Sequence, residues 1–368
     1  MNFVISRETI LKPLQDIISI ADKKHTMTIL NSILCQTEGN KLFLKASDLE
    51  TEVLAEINID KELNFGEATI PARKLKDIIT NLPGGSDINI YKESDSKLMI
   101  KSNKSRFILS TLNSKGFPKM DSDLGNNCFS ISQSSLLKAI KKVKFAMAYN
   151  DVRYFLNGCL WEIEGNIFRT VATDGHRMAM TELNIDNSNI SNIQVIIPRK
   201  AIDELQKLLS NSDAMVNIHI GDNHFMVQLP DYTFTSKLID GRYPDYNRVI
   251  PKENHKLLVA NTIEFRQSLL RTKVLSNEKY RGVRLTLDIN TLRLAANNPD
   301  QEEAMDEISV VYRDDSMEVG FNVSYLLDVI GVIDTEEVDL FFSTANMSLL
   351  IKEHDINDSC YVVMPIRL

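Results

Sequence analysis

Apolar residues recur at three- and four-residue intervals in six stretches of the chain and alternate singly in many shorter ones. Leu136, Ile140, Val143 and Met147 form one helical stripe, with Lys138, Lys141 and Lys142 pointing away from it. Ile202, Leu205 and Leu209 repeat the design, with Arg199, Lys200 and Lys207 on the outside. The spacing predicts helices over residues 9–20, 72–82, 134–147, 199–211, 262–274 and 322–334. Alternation in Lys41-Leu42-Phe43-Leu44-Lys45 and Asn217-Ile218-His219-Ile220 predicts half-buried strands, and Glu38-Gly39-Asn40, Pro83-Gly84-Gly85 and Gly221-Asp222-Asn223 predict turns. Pro71 and Pro198 stand just ahead of two helices, where a missing N–H costs nothing.

These elements recur in order. A short strand leads into a helix at Phe3, at Phe129 and at Leu257, 126 and 128 residues apart. Late strands centred on Phe107, Phe234 and Tyr361 are spaced by 127 residues each time. Ala68-Thr69-Ile70-Pro71 has counterparts in Val195-Ile196-Ile197-Pro198 and Val319-Gly320-Phe321-Asn322, and Ala46-Ser47-Asp48 in Ala172-Thr173-Asp174 and Ala296-Asn297-Asn298. Four landmarks in one order at nearly one spacing imply three copies of a single α+β unit. The expected domains are 1–126, 127–252 and 253–368, each with two helices packed on antiparallel sheets.

Composition excludes several classes. With 368 residues, 43% hydrophobic and 25% charged, the chain is of ordinary globular character rather than disordered. No apolar run approaches the roughly 20 residues of a membrane helix, and no secretory signal is visible, so a cytoplasmic protein without a membrane partner is expected. Cys35, Cys128, Cys159 and Cys360 lack C-x-x-C spacing and read as buried thiols of a reducing compartment, neither disulfides nor zinc ligands. The net charge is −8, yet the six expected helices with their immediate flanks (6–24, 72–82, 132–147, 199–211, 261–273 and 322–334) together carry +8 and the remainder −16. Helices sharing one surface would attract a polyanion. Equally, lysines favour exposed helix faces for their own sake. The last helix, with Asp328 and Asp334, is an exception to any basic face.

Signatures of enzymes are missing. There is no phosphate-binding glycine loop, no H-E-x-x-H and no G-x-S-x-G. Asp174-Gly175-His176-Arg177 brings acid, imidazole and guanidinium together and could form a dyad. The other reading is a tight Asp-Gly turn, favoured because nothing nearby supplies a nucleophile or a carboxylate cluster. His219 and His224 read as strand-end residues, and Glu302-Glu303 with Asp306-Glu307 as a charged face. No catalytic residue, metal or cofactor is expected.

Six longer motifs then carry a resemblance: DVRYFLNG at 151–158, ATDGHR at 172–177, FTSKLIDGRYPDY at 234–246, LSNEKYRGVR at 275–284, GFNVSYLLDV at 320–329 and YVVMPIRL at 361–368. In this linked order they resemble the β subunit of bacterial DNA polymerase III, the replicative sliding clamps. The resemblance implies a head-to-tail homodimer, a closed ring of six domains whose helices line a hole for duplex DNA, bound without regard to sequence. It implies that Lys24, Arg73, Tyr154, Phe155, Arg199, Lys200 and Lys207 face the DNA. Val274 and Leu275 on one edge would meet Phe107 and Leu109 of the neighbouring subunit, with Asp300, Glu302 and Glu303 pairing with Lys74, Lys104 and Arg106. A groove between the second and third domains would capture short linear motifs of the replicative polymerase, the clamp loader and repair proteins. Its implied residues are Arg153, Leu156, Thr173, Gly175, His176, Arg177, Met178, Pro244, Arg248, Val249, Asn322, Tyr325, Ser348, Val362, Met364, Pro365 and Arg367. A tethering protein of this kind stands against two other readings. One is a DNA-acting enzyme using Asp174 and His176, disfavoured by the missing carboxylate cluster. The other is a peptide-binding scaffold that does not encircle DNA, disfavoured by the basic helices.

Overall fold

The computed structural model describes residues 1–21, 26–120, 127–185 and 192–367, apart from the side chains of 60–62 and 64. The first repeat runs β1 (Asn2–Ser6), α1 (Arg7–Ala21), β2 (Ser32–Ser47), β3 (Thr51–Pro71), α2 (Ala72–Asn81), β4 (Asp87–Ser94), β5 (Lys97–Ser102) and β6 (Ser105–Ser110). The second runs β7 (Asn127–Ser132), α3 (Gln133–Val143), β8 (Gly158–Glu164), β9 (Ile167–Thr173), β10 (Arg177–Asn184), β11 (Ile193–Pro198), α4 (Arg199–Leu208), β12 (Met215–Ile220), β13 (His224–Gln228) and β14 (Tyr232–Lys237). The third runs β15 (Lys256–Asn261), α5 (Thr262–Lys273), β16 (Gly282–Asp288), β17 (Thr291–Asn297), β18 (Glu303–Ser309), β19 (Val311–Tyr312), β20 (Met317–Asn322), α6 (Val323–Ile330), β21 (Glu337–Phe342), β22 (Leu349–Glu353) and β23 (Ser359–Val363). All six expected helices form, and the order of elements repeats. In the first copy two long strands, β2 and β3, stand where the second copy has four.

The chain folds into two compact units that do not follow the repeats. One comprises Met1–Ser134 with Asp203–Leu238, the other Ser135–Ile202 with Ile239–Leu368, so the middle repeat is divided between them. The first unit holds a four-stranded sheet, β1-β4-β5-β6, and a six-stranded sheet, β2-β3-β14-β13-β12-β7. On α1, Ile10, Leu14, Ile17 and Ile20 recur at three- and four-residue steps and are all buried, as are Leu75 and Ile79 of α2. Asp16 on α1 accepts the Tyr232 hydroxyl at 2.6 Å. The second unit holds a nine-stranded sheet, β11-β8-β9-β10-β23-β22-β21-β15-β19, and a four-stranded one, β18-β17-β16-β20. Asparagines cap two of its helices: Asn261 Oδ1 accepts from Ile263 N and Glu264 N, and Asn322 Oδ1 from Ser324 N.

The late strands join one repeat to another. β14 pairs antiparallel with β3, Phe234 opposite Val53, and β23 pairs antiparallel with β10, Tyr361 opposite Ala179. The equivalent strand of the first repeat, β6, is an edge, and so is β18, the third repeat's counterpart of the strands that receive β14 and β23.

Two expectations are corrected. Lys142 does not point away from the core: it is 2% exposed, donating to the Glu353 carboxylate and, at 3.2 Å, to Ser359 Oγ, with Asp358 Oδ1 3.6 Å away. Helix α3 is buried around most of its circumference, with Leu136, Leu137, Ala139, Ile140 and Val143 inside and only Lys138 and Lys141 fully outside. A stripe read from one face misses this, because β22 and β23 bring carboxylates to a second face. Cys128 is exposed, since its place on β7 faces outward; Cys35, Cys159 and Cys360 are buried.

Candidate functional site

Between β9 and β10 the chain reverses at Thr173–Arg177. Asp174 Oδ1 accepts from His176 N at 2.9 Å and Arg177 N at 3.0 Å, and Thr173 Oγ1 accepts from Gly175 N. Gly175 has φ +87°, a conformation that favours glycine, and a Cβ there would lie 3.1 Å from the Arg153 guanidinium. The turn reading therefore holds. Asp174 is committed to backbone N–H groups and to Arg177 Nε at 3.1 Å, while the His176 ring stacks on Tyr325.

Arg177 works as a clasp. Its side chain, 11% exposed, reaches Asp174, the Asp328 carboxylate on α6 and the Phe145 carbonyl at 2.8 Å, and its guanidinium lies over the Tyr325 ring at 4.5 Å. Arg153 grips Asp151 with two hydrogen bonds, at 3.0 and 2.8 Å, and these with the Arg153 N–H hold the Asp151 carboxyl at about 2. Met364 N donates to His176 O and Ile366 N to Gly320 O, stringing the C-terminal segment past the turn. Beneath lies an apolar floor in which Met178 and Val362, register partners across β10 and β23, are fully buried with Leu160, Val171, Tyr243 and Tyr246.

The segment after β14 forms a wall over this floor. Tyr243 and Tyr246 point in and are buried; Pro244, Arg248 and Val249 point out and are exposed. Tyr243 Oη accepts from Thr173 N at 3.1 Å. Tyr246 Oη donates to Glu162 on β8, which also accepts from Gln194 and from Arg169 on β9; Arg169 reaches Glu182 on β10 at 2.6 Å and Tyr246 Oη at 3.1 Å. Burial alone would raise the Glu162 carboxyl, but the bonds from Tyr246, Gln194 and Arg169 outweigh it and hold it below its ordinary 4.5. The sequence reading did not single out this network. Its signal was the register: Glu162, Arg169 and Glu182 lie directly opposite one another across three adjacent strands.

All the residues implied for a peptide groove thus lie in the second unit. Thr173, Gly175, His176, Arg177, Arg153, Tyr325 and Met364 are joined by direct contacts, and Leu156, Met178 and Val362 are buried. Asn322 serves as the cap of α6, and the Ser348 carbonyl accepts from Asn254. Arg248 pairs with Asp245, while Pro365 is half-buried and Arg367 exposed. Of the residues implied to face DNA, Lys24 lies outside the described residues. Arg73 is exposed on α2 and Tyr154 is 58% exposed, whereas Phe155 packs partly against the floor. Arg199 spends Nη1 on the Met147 and Ala148 carbonyls, Lys200 is half-buried, and Lys207 pairs with Glu204 at 2.8 Å. Lys74 is exposed on α2, and Lys104 and Arg106 are exposed at β6 with Phe107 half-buried and Leu109 buried; Asp300, Glu302 and Glu303 are exposed at β18, with Val274 77% exposed and Leu275 half-buried.

The chain matches the DNA polymerase III beta subunit in three successive parts: its N-terminal domain over residues 1–121, central domain over 130–245 and C-terminal domain over 247–367. It is 47% identical to the beta sliding clamp of Pseudomonas aeruginosa, with all of both chains covered. The chain belongs to the DNA polymerase III β subunit family. It is 41% identical to the beta sliding clamp of Escherichia coli K12, again over all of both chains. The crystal structure of the Pseudomonas aeruginosa subunit matches with a TM-score of 0.96 at 46% identity, and that of the same organism's clamp bound to griselimycin with 0.97 at 47%, each covering both chains fully. As a member of this family the chain is a DNA sliding clamp of three clamp domains, a processivity factor that tethers the replicative polymerase to duplex DNA and performs no chemistry. Among the described residues no helix is long and apolar enough to cross a membrane.

Proposed function

We propose that two copies close the ring through β6 of one and β18 of the other, and that the groove of the second unit receives partner peptides. One observation carries the first part. Late strands of the second and third repeats are each received by the repeat before, and the two edges left over are β6 and β18. Val53, Ala179 and Ala304 hold equivalent places, each opposite an alanine of the Ala46, Ala172 and Ala296 set. By that equivalence Phe107 lies opposite Ala304 of the partner subunit. Lys74, Lys104 and Arg106 on one edge and Asp300, Glu302 and Glu303 on the other fix the orientation, while Phe107, Leu109, Val274 and Leu275 supply the apolar centre. A heterologous contact that closes makes a ring. The repeat boundaries near 126 and 252 belong to the same reading; residue 126 lies outside the described residues.

Arg73, Tyr154, Phe155, Arg199, Lys200 and Lys207, together with Lys24, face the DNA in this reading and attract phosphates without base readout. The groove has an apolar floor, Leu156, Met178 and Val362, and a rim of Arg153, Gly175, His176, Pro244, Arg248, Val249, Met364, Pro365 and Arg367. Thr173, Arg177, Asn322, Tyr325 and Ser348 frame it, and we take griselimycin, bound in the Pseudomonas aeruginosa crystal structure, as its probe. The protein acts in the cytoplasm. Disulfide trapping tests the interface: Phe107→Cys with Ala304→Cys gives a covalent dimer under mild oxidation, and Phe107→Cys with Met305→Cys gives far less. Equal trapping of both pairs, or faster trapping of the second, overturns the register.

A further inference from the structure

The wall formed by residues 243–249 belongs to no strand pairing. Its own backbone bonds are local, Arg248 N to Asp245 O at 3.3 Å and Val249 N to Tyr246 O at 3.0 Å. Besides the burial of the Tyr243 and Tyr246 rings in the apolar floor, the polar ties from the segment to the sheet are the two tyrosine hydroxyls. Tyr243 accepts from one backbone N–H, whereas Tyr246 enters a cluster of ionised groups, Glu162 and Arg169. Hydrogen bonds to ionised partners are roughly twice as strong as neutral ones. Glu162 has no exposed role in the groove, being 9% exposed, and Tyr246 is 4% exposed. Buried as they are, neither offers a surface to a ligand arriving from outside. In this reading both act through the exposed residues around Tyr246, Pro244, Arg248 and Val249 among them.

We infer that Tyr246, pinned by Glu162 and Arg169, is a positioning residue that holds the 243–249 wall in its ligand-competent place. The inference rests on the reading that this wall lines the peptide groove. Releasing the pin lowers the fraction of molecules whose wall is in place, and apparent affinity falls by that fraction. A residue that acts on the free protein alone changes the association rate. A lost contact instead changes the dissociation rate, where most interface substitutions register.

The test is griselimycin binding to the full-length protein by surface plasmon resonance, with amide hydrogen exchange on the free proteins. Tyr246→Phe keeps the buried ring and removes both hydroxyl bonds. It should slow association five- to tenfold, leave dissociation within twofold, and speed exchange within residues 243–250 while β10 and α6 exchange as in the wild type. Glu162→Gln should move both readouts the same way, and the double variant should be no worse than the worse single one, since both break one unit. An unchanged association rate with unchanged exchange overturns the inference. So does a loss carried by dissociation alone, or faster exchange spread over the whole second unit, which would mark Tyr246 as a general stability residue. Should the wild type fail to bind griselimycin, the docking reading falls by itself, and exchange confined to or absent from 243–250 still decides the pin.

Discussion

Replacing Lys142 with Met removes a buried ammonium while keeping the packing of its stem. Lys142 and Glu353 are 2% and 1% exposed, so neither has solvent to fall back on. The substitution leaves the Glu353 carboxylate with the Asp334 N–H at 2.9 Å as its remaining donor. Breaking a buried pair by deleting one partner costs about 3–5 kcal/mol, because the survivor is an uncompensated buried charge. In a unit of roughly 200 residues each kcal/mol lowers the melting temperature by about 2–4 °C, so the expected loss is about 6–20 °C. The chain has one tryptophan, Trp161, fully buried on β8 of the same unit, so its fluorescence on heating reports this unit. Adding Glu353→Gln removes the stranded charge while retaining an acceptor for Asp334 N, and the double variant should regain at least half of the lost stability. A fall of less than about 2 °C for Lys142→Met would refute the reasoning. A double variant as unstable as the single one would show that the pair is not the coupled unit described.

Three further outcomes are expected. Val274→Ala with Leu275→Ala removes five aliphatic carbons from the proposed interface; at roughly 0.8 kcal/mol each this is about 4 kcal/mol per interface, several hundredfold in affinity, and sedimentation at low concentration should show monomer. Iodoacetamide on the native protein at mild alkaline pH should label Cys128 alone, because burial holds Cys35 and Cys159 up at about 12 and Cys360 at about 11; a second label in the mass spectrum contradicts this. Glu162 is held below 4.5, so its contribution to stability is complete above that pH and is lost as pH falls through the depressed folded value. The melting difference between wild type and Glu162→Gln should therefore be largest near neutrality and shrink steadily below pH 4.5; a difference that persists unchanged into acid argues against the ionised network.

Periodicity alone made the six helices and the threefold repeat legible, because each helix buries a stripe and each repeat must bury the same stripes again. Pro71 and Pro198 end their strands just where the helices start, and Asp174-Gly175 makes the turn its residue types demand. Burial contributed by a distant part of the chain was not legible. Lys142 sits at an exterior position of its own helix, and only the arrival of Glu353 and Asp358 from the third repeat turns that position inward. Arg177 reads locally as one member of a possible dyad, yet Asp328 and Tyr325, some 150 residues on, make it a clasp. The Glu162–Arg169–Tyr246 cluster needed the register of adjacent strands and a covering segment at once. Nor does a repeat count foretell that the two compact units divide the middle copy between them.

The way each repeat offers one late strand and receives another bears on descent as well as on assembly. A single unit with both edges already carries everything needed to bind copies of itself, since the joint inside the chain and the joint proposed between chains use equivalent strands. Gene duplication and fusion then make an existing association covalent and demand no new surface. The converse is a constraint on shortening: a chain cut after its first repeat would bare the stretch of β3 that receives β14, an unpaired edge open to any strand that fits it.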